Sequence, residues 1–133
     1  MDEEVKLFLK GIPKNGWILD IGGCWGWHWR NVINKRPDIK VVILDFIREN
    51  LSQAKIILEE GLGKNFYLVH GNALLLDFDD CSFDGVWSVQ TTQHIPDYRK
   101  VLLEVFRVLK KNGKFSDYNL NIARLSQLIY HLL

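Results

Sequence analysis

The chain has little cysteine, little proline and no surplus of either charge, and each shortage excludes a class of function. Its two cysteines, Cys24 and Cys81, lie far apart and match no metal-ligand spacing. Neither a disulfide scaffold nor a metal site is therefore expected, and reduced thiols in the cytoplasm are the simplest reading. Seventeen Lys and Arg stand against sixteen Asp and Glu, a net charge of +1. That balance makes no electrostatic case for nucleic acid or for an anionic membrane. The opening MDEEVKLFLK places acids where a signal peptide carries positive charge, and no apolar run approaches the length of a membrane span. Internal repeats, linkers and low-complexity segments are also missing. The 133 residues, 47% hydrophobic and 25% charged, are expected to form one soluble globular domain.

What is present is an alternation of two periodicities. Val5, Phe8 and Leu9 have helical spacing behind Asp2, a possible cap, and predict a short amphipathic helix ending near Gly11. Trp17 to Asp20 is a short apolar run ending in an acid, followed by Gly22, Gly23 and Gly26. Trp25, Trp29, Val32 and Ile33 then form an apolar stripe, which predicts a first major helix closed by Pro37 with Trp25 and Trp29 in the core. Lys40 to Asp45 is a β-branched strand, and Ile47, Leu51, Ala54 and Leu58 share a helical face that Gly61 stops. Asn65 to His70 predicts a third strand and Ser82 to Val89 a fourth, joined by a loop from Gly71 to Asp80. Gly85 inside the fourth strand points to a close approach by a neighbour. After a polar loop capped by Asp97, Val101, Leu102, Val105, Val108 and Leu109 mark the clearest helix, with Asn112-Gly113 as its stop. A fifth strand is expected over Lys114 to Tyr118, and Leu125, Leu128, Ile129 and Leu132 predict a last helix. Alternating strands and helices on short connections give a three-layer α/β unit with a parallel sheet.

The stretch that organises the rest is strand, glycine turn, helix, an arrangement that brings backbone N–H groups and a helix start to a ligand. Asp20, Gly22, Cys24 and Gly26 resemble motif I of the class I S-adenosylmethionine-dependent methyltransferases, an acid followed by GxGxG, with Cys24 in the place of the middle glycine. The dinucleotide fingerprint GxGxxG fits less well, because Cys24 and Trp27 stand where it needs glycine. The resemblance continues in register. It places Asp45 on the ribose hydroxyls, Phe46 against the adenine, and Asn72, in Gly71-Asn72-Ala73, where the family has GDA and an acid that reads the adenine amino group. Phe83 to Phe115 looks like the FDxV…HxxD…LxExxRxLKPGG signature of the small-molecule branch, related to the type 11 methyltransferases.

This resemblance implies a Rossmann-like sheet of order 3-2-1-4-5 and a site for S-adenosylmethionine. The implied cofactor set is Asp20, Gly22, Gly23, Cys24, Gly26, Asp45, Phe46, Asn72, Ala73 and Gln90. His94 is the candidate catalytic residue, weighed against a role in ordering its loop, and Cys24 reads as a small residue in a tight turn rather than a reactive thiol. Methyl transfer to a small molecule by in-line displacement needs no metal and no covalent nucleophile. The family's final antiparallel hairpin is not found in the sequence. Self-association through the C-terminal edge, a longer natural chain, or a non-catalytic cofactor- or partner-binding role are the expectations that follow.

Overall fold

The computed structural model describes residues 2–119. Five strands form one parallel sheet in the order β3-β2-β1-β4-β5, as expected. They are β1 (Trp17–Ile21), β2 (Lys40–Asp45), β3 (Phe66–His70), β4 (Phe83–Val89) and β5 (Leu109–Tyr118). Among the described residues three helices accompany them: α1 (Glu3–Lys10), α2 (Arg48–Ile57) and α3 (Tyr98–Val108). β1 lies at the centre, its Asp20 level with Ile43 of β2 and with Trp87 of β4.

Neighbouring residues of a strand point to opposite faces, so each central strand supplies two cores. Ile18, Val41 and Ile43 meet Val5, Phe8 and Leu9 of α1, together with Trp29 and Val32, on one face. Leu19, Val42 and Val86 meet Val101, Val105 and Val108 of α3 on the other. Central strands buried on both faces explain the unbroken apolar runs of the sequence. The first core holds an aromatic cluster, with the Trp87 ring 5.1 Å from Phe8 and 5.8 Å from Trp29. Gly85 makes the close approach expected of it: a Cβ there would lie 2.5 Å from Ile12 and 2.7 Å from Phe8.

Several local expectations are corrected. The segment after the glycine turn is not an α-helix but two 3-10 turns, Trp27–Trp29 and Val32–Asn34. Its two fully buried side chains, Trp29 and Val32, are three residues apart, and a 3-10 turn stacks positions i and i+3. Trp25, expected in the core, is 51% exposed.

The helix α3 ends at Val108, and Asn112-Gly113 does not stop it. Leu109 already pairs with Phe83, and the register shifts between Phe83 and Gly85 while Asn112 adopts φ 66°. The Asn-Gly pair thus serves an irregularity within the strand instead of a helix cap. A fifth strand exists, therefore, but begins five residues earlier than Lys114.

Asp2 precedes α1 without capping it by its side chain. Its carboxylate lies 3.4 Å from Nδ1 of His28 and 3.9 Å from Arg30. In the second helix, Ile47 is the exposed residue before α2, and Gly61 closes a 3-10 turn, Glu59–Gly61, that follows it. The predicted last helix, with Leu125, Leu128, Ile129 and Leu132, lies outside the described residues.

Candidate functional site

The strand order reverses direction between β1 and β4, and ligands of open parallel sheets bind at such a switch point, beyond the carboxyl ends of the strands. A cavity of about 550 Å³ lies there, inside the roughly 300–1,000 Å³ typical of small-molecule sites. The loops after β1, β2, β3 and β4 wall it, and it gathers Gly22, Cys24, Asp45, Phe46, Asn72, Ala73, Gln90 and His94. Asp20 and Gly23 instead line a smaller cavity of about 150 Å³ beside it, which shares Gly22, Cys24 and Val89 with the first. Gly26 lines neither. Its φ of 69° turns the chain, and a Cβ there would meet Leu58 at 2.5 Å.

The glycine turn is held against β2. The N–H of Gly22 donates to the carbonyl of Leu44 at 2.8 Å. At φ 68° Gly22 has no room for a side chain, since a Cβ would come within 2.2 Å of the Thr91 hydroxyl. Cys24 also has positive φ, 53°, a conformation L-residues other than glycine seldom adopt. Its N–H donates to Oδ2 of Asp45 at 2.9 Å. Burial, followed by the charge of Asp45, raises the Cys24 thiol above its ordinary pKa, so the thiol is not activated as a nucleophile.

Asp45 ends β2 and is nearly enclosed. Oδ1 accepts the N–H of Ile47 at 2.9 Å and the amide of Asn50 at 3.1 Å. With Cys24 on Oδ2, three donors are in place, and a carboxylate offers about four acceptor positions. One remains to be used by a ligand. Phe46 beside it is 71% exposed and stands 6.2 Å from the His70 ring. Asn72 lines the cavity and accepts the N–H of Leu74 at 2.9 Å through Oδ1, a local turn that engages its carbonyl oxygen.

Asp20 is the other buried acid. Its Oδ2 accepts the indole N–H of Trp29 at 2.7 Å, and Gly23 sits so close above that a Cβ would lie 2.6 Å from the same oxygen. Burial raises the carboxyl to about 7; the Trp29 hydrogen bond opposes the shift and the charge of Asp45 adds to it. His94 is exposed on a 3-10 turn, Thr92–His94, with Nε2 at 3.2 Å from the Gln93 amide. Gln90 takes φ 52° and donates its N–H to the carbonyl of Tyr118 at 2.7 Å.

Several supporting residues have no signal in sequence spacing. The hydroxyl of Thr92 donates to Asp117 at 2.8 Å, Tyr98 donates to the same carboxylate at 3.0 Å, and the Asn119 amide donates to it at 2.8 Å. This cluster ties the loop that carries Gln90 and His94 to the end of β5. Arg107 and Glu104 of α3 do the same for the loop after β3: Glu104 accepts the N–H of Leu76 at 2.7 Å, and Arg107 donates to the carbonyls of Phe78 and Leu76. Among the described residues no cluster of three or more His, Cys, Asp or Glu could hold a metal ion, and no helix is long and apolar enough to cross a membrane.

Residues 19–116 match the family model described as a methyltransferase domain. The chain belongs to the class I S-adenosylmethionine-dependent methyltransferase family. This domain is 44% identical over 98 residues to a demethylmenaquinone methyltransferase of Lactococcus lactis, covering 73% of this chain and 39% of that protein. It is 36% identical over 109 residues to a sterol 24-C-methyltransferase of Aspergillus fumigatus, covering 81% of this chain and 29% of that one. The methyltransferase domain also superposes on the PH0226 protein of Pyrococcus horikoshii with a TM-score of 0.78 at 26% identity, covering 95% of this chain and 59% of that chain. The chain thus spans well under half the length of these two curated relatives.

Proposed function

We propose that this domain, over residues 1–133, binds S-adenosylmethionine in the cavity at the β1/β4 switch point and transfers its methyl group to a small-molecule acceptor in the cytoplasm. The observation that carries the reading is the meeting, in one cavity, of the glycine turn, Asp45 and Asn72 with the loop after β4.

The residues fit the cofactor. The acceptor capacity left on Asp45 suits a ribose hydroxyl in a charge-assisted bond. The exposed Phe46 offers a ring face to the adenine, and the NH2 of Asn72 suits a ring nitrogen of that base, a donor role in place of the acceptor role of the family's acid. Asp20, beside the turn, favours the positive end of the molecule. When bound, the cofactor supplies an activated methyl group. This chain's part is to orient and to exclude water, which is where proximity effects arise. His94, on the exposed side of the cavity wall, is the group in reach of an acceptor that must lose a proton.

Calorimetric titration with S-adenosylhomocysteine and NADH tests the reading on one sample. Low-micromolar binding of the first and none of the second is expected. NADH binding without a response to the sulfur ligand overturns it.

A further inference from the structure

We propose that Trp25 is an aromatic wall for the cationic end of the methyl donor, and so sets the preference of the site for charged over neutral adenosine ligands. The inference rests on the donor reading above. Three tryptophans follow the glycine turn, and they are differently engaged. Trp29 is buried on Asp20 and packs edge-on to Phe8 and Trp87. Trp27 carries the guanidinium of Arg30 over its ring at 4.2 Å. Trp25 is half exposed, and its ring has no aromatic or cationic partner among the described residues.

That free ring lines the cavity of about 150 Å³ together with Asp20. A ring face carries negative electrostatic potential, and a buried carboxylate favours a positive neighbour. Trp27 and His28 line it as well, and neither Lys nor Arg does among the described residues. It opens into the larger one through Gly22, Cys24 and Val89. A donor whose adenosine occupies the Asp45 and Asn72 side has its sulfonium and ammonium at the opposite end, where the glycine turn leads to this second cavity.

The test compares three adenosine ligands with two, one and no cationic groups on the wild type, Trp25→Leu and Trp25→Phe. S-Adenosylmethionine carries a sulfonium beside its zwitterionic amino-acid end, S-adenosylhomocysteine that ammonium–carboxylate end without the sulfonium, and 5′-methylthioadenosine neither. Trp25→Leu is expected to weaken S-adenosylmethionine about fivefold or more while leaving methylthioadenosine within about twofold, the scale of a cation–π contact. Trp25→Phe, which keeps a ring face, is expected to recover most of the loss. Because Trp25 is half exposed, neither variant endangers the core. Equal weakening of all three ligands, or of none, overturns the inference while leaving the donor reading intact. A wild type that binds none of the three overturns the donor reading and this inference with it.

Discussion

The indole N–H of Trp29 donates to Oδ2 of Asp20 at 2.7 Å, with both side chains shut off from solvent beneath the glycine turn. One bond therefore joins the 3-10 segment to the end of β1 and fixes the carboxyl next to the site.

Asp20 makes stability depend on pH. Its folded value, about 7, lies above the ordinary 3.8. Between those two values the folded chain keeps a proton that the unfolded chain has released, so stability falls as pH rises through this window and levels off above it. Asp20→Asn keeps an acceptor for the indole and never ionises. Relative to wild type it is expected to gain about 2 kcal/mol on going from pH 5 to pH 8. Thermal unfolding at both values checks this, and a constant difference between the two proteins contradicts it.

Asp45 joins turn, helix start and cavity. In Asp45→Asn an NH2 replaces one carboxylate oxygen and faces a donor, either the N–H of Cys24 or those of Ile47 and Asn50. A stability loss of about 1 to 3 kcal/mol is expected, with S-adenosylhomocysteine weakened by at least about tenfold, since a bond to a charged group is lost as well. Chemical denaturation and calorimetry on the same preparation separate the two effects. Unchanged affinity removes Asp45 from the ligand site.

Cys24 contributes its backbone, not its thiol, to Asp45. Cys24→Gly keeps the N–H and relieves the positive φ of 53°, so it is expected to stabilise by roughly 0.5 to 1 kcal/mol with affinity unchanged. Cys24→Val, with branching at Cβ, is expected to destabilise. Loss of ligand binding in the glycine variant shows that the thiol itself contributes.

Asp117 acts on the site through the loop after β4. Asp117→Ala leaves the hydroxyls of Thr92 and Tyr98 without this acceptor, at a cost of about 1 to 2 kcal/mol. Gly85→Ala is the matched control: its Cβ overpacks Ile12 and Phe8 outside the site at a similar cost of about 1 to 3 kcal/mol. Affinity for S-adenosylhomocysteine is expected to fall in the first and to hold in the second. Equal behaviour of the two variants reduces Asp117 to an ordinary stabilising residue.

The strand segments Lys40 to Asp45 and Asn65 to His70, the latter observed from Phe66, the glycine turn, and the cap at Asp97 were all legible from the sequence. Each rests on a local cause: an apolar run too short for a helix, residues that tolerate positive φ, or a carboxylate three residues ahead of the N–H it accepts, here Lys100 at 3.1 Å. The order 3-2-1-4-5 followed from alternation together with the resemblance. Periodicity failed where two readings share the same residues. Leu109 continues the stripe of α3 yet pairs with Phe83 as a strand residue, because closing the sheet edge buries it as well as one more helical turn does. Trp29 and Val32 suit an α-helical stripe and a 3-10 turn alike, and the bond from Trp29 to Asp20 belongs to the latter. The tertiary structure alone decided which donors Asp45 binds, that Trp25 faces a cavity while Trp29 is buried, and that Asp117, 25 residues from Thr92 in sequence, anchors its loop. Such partners meet only after strands far apart in the chain pair in register, and a pattern read along one segment contains no record of the other.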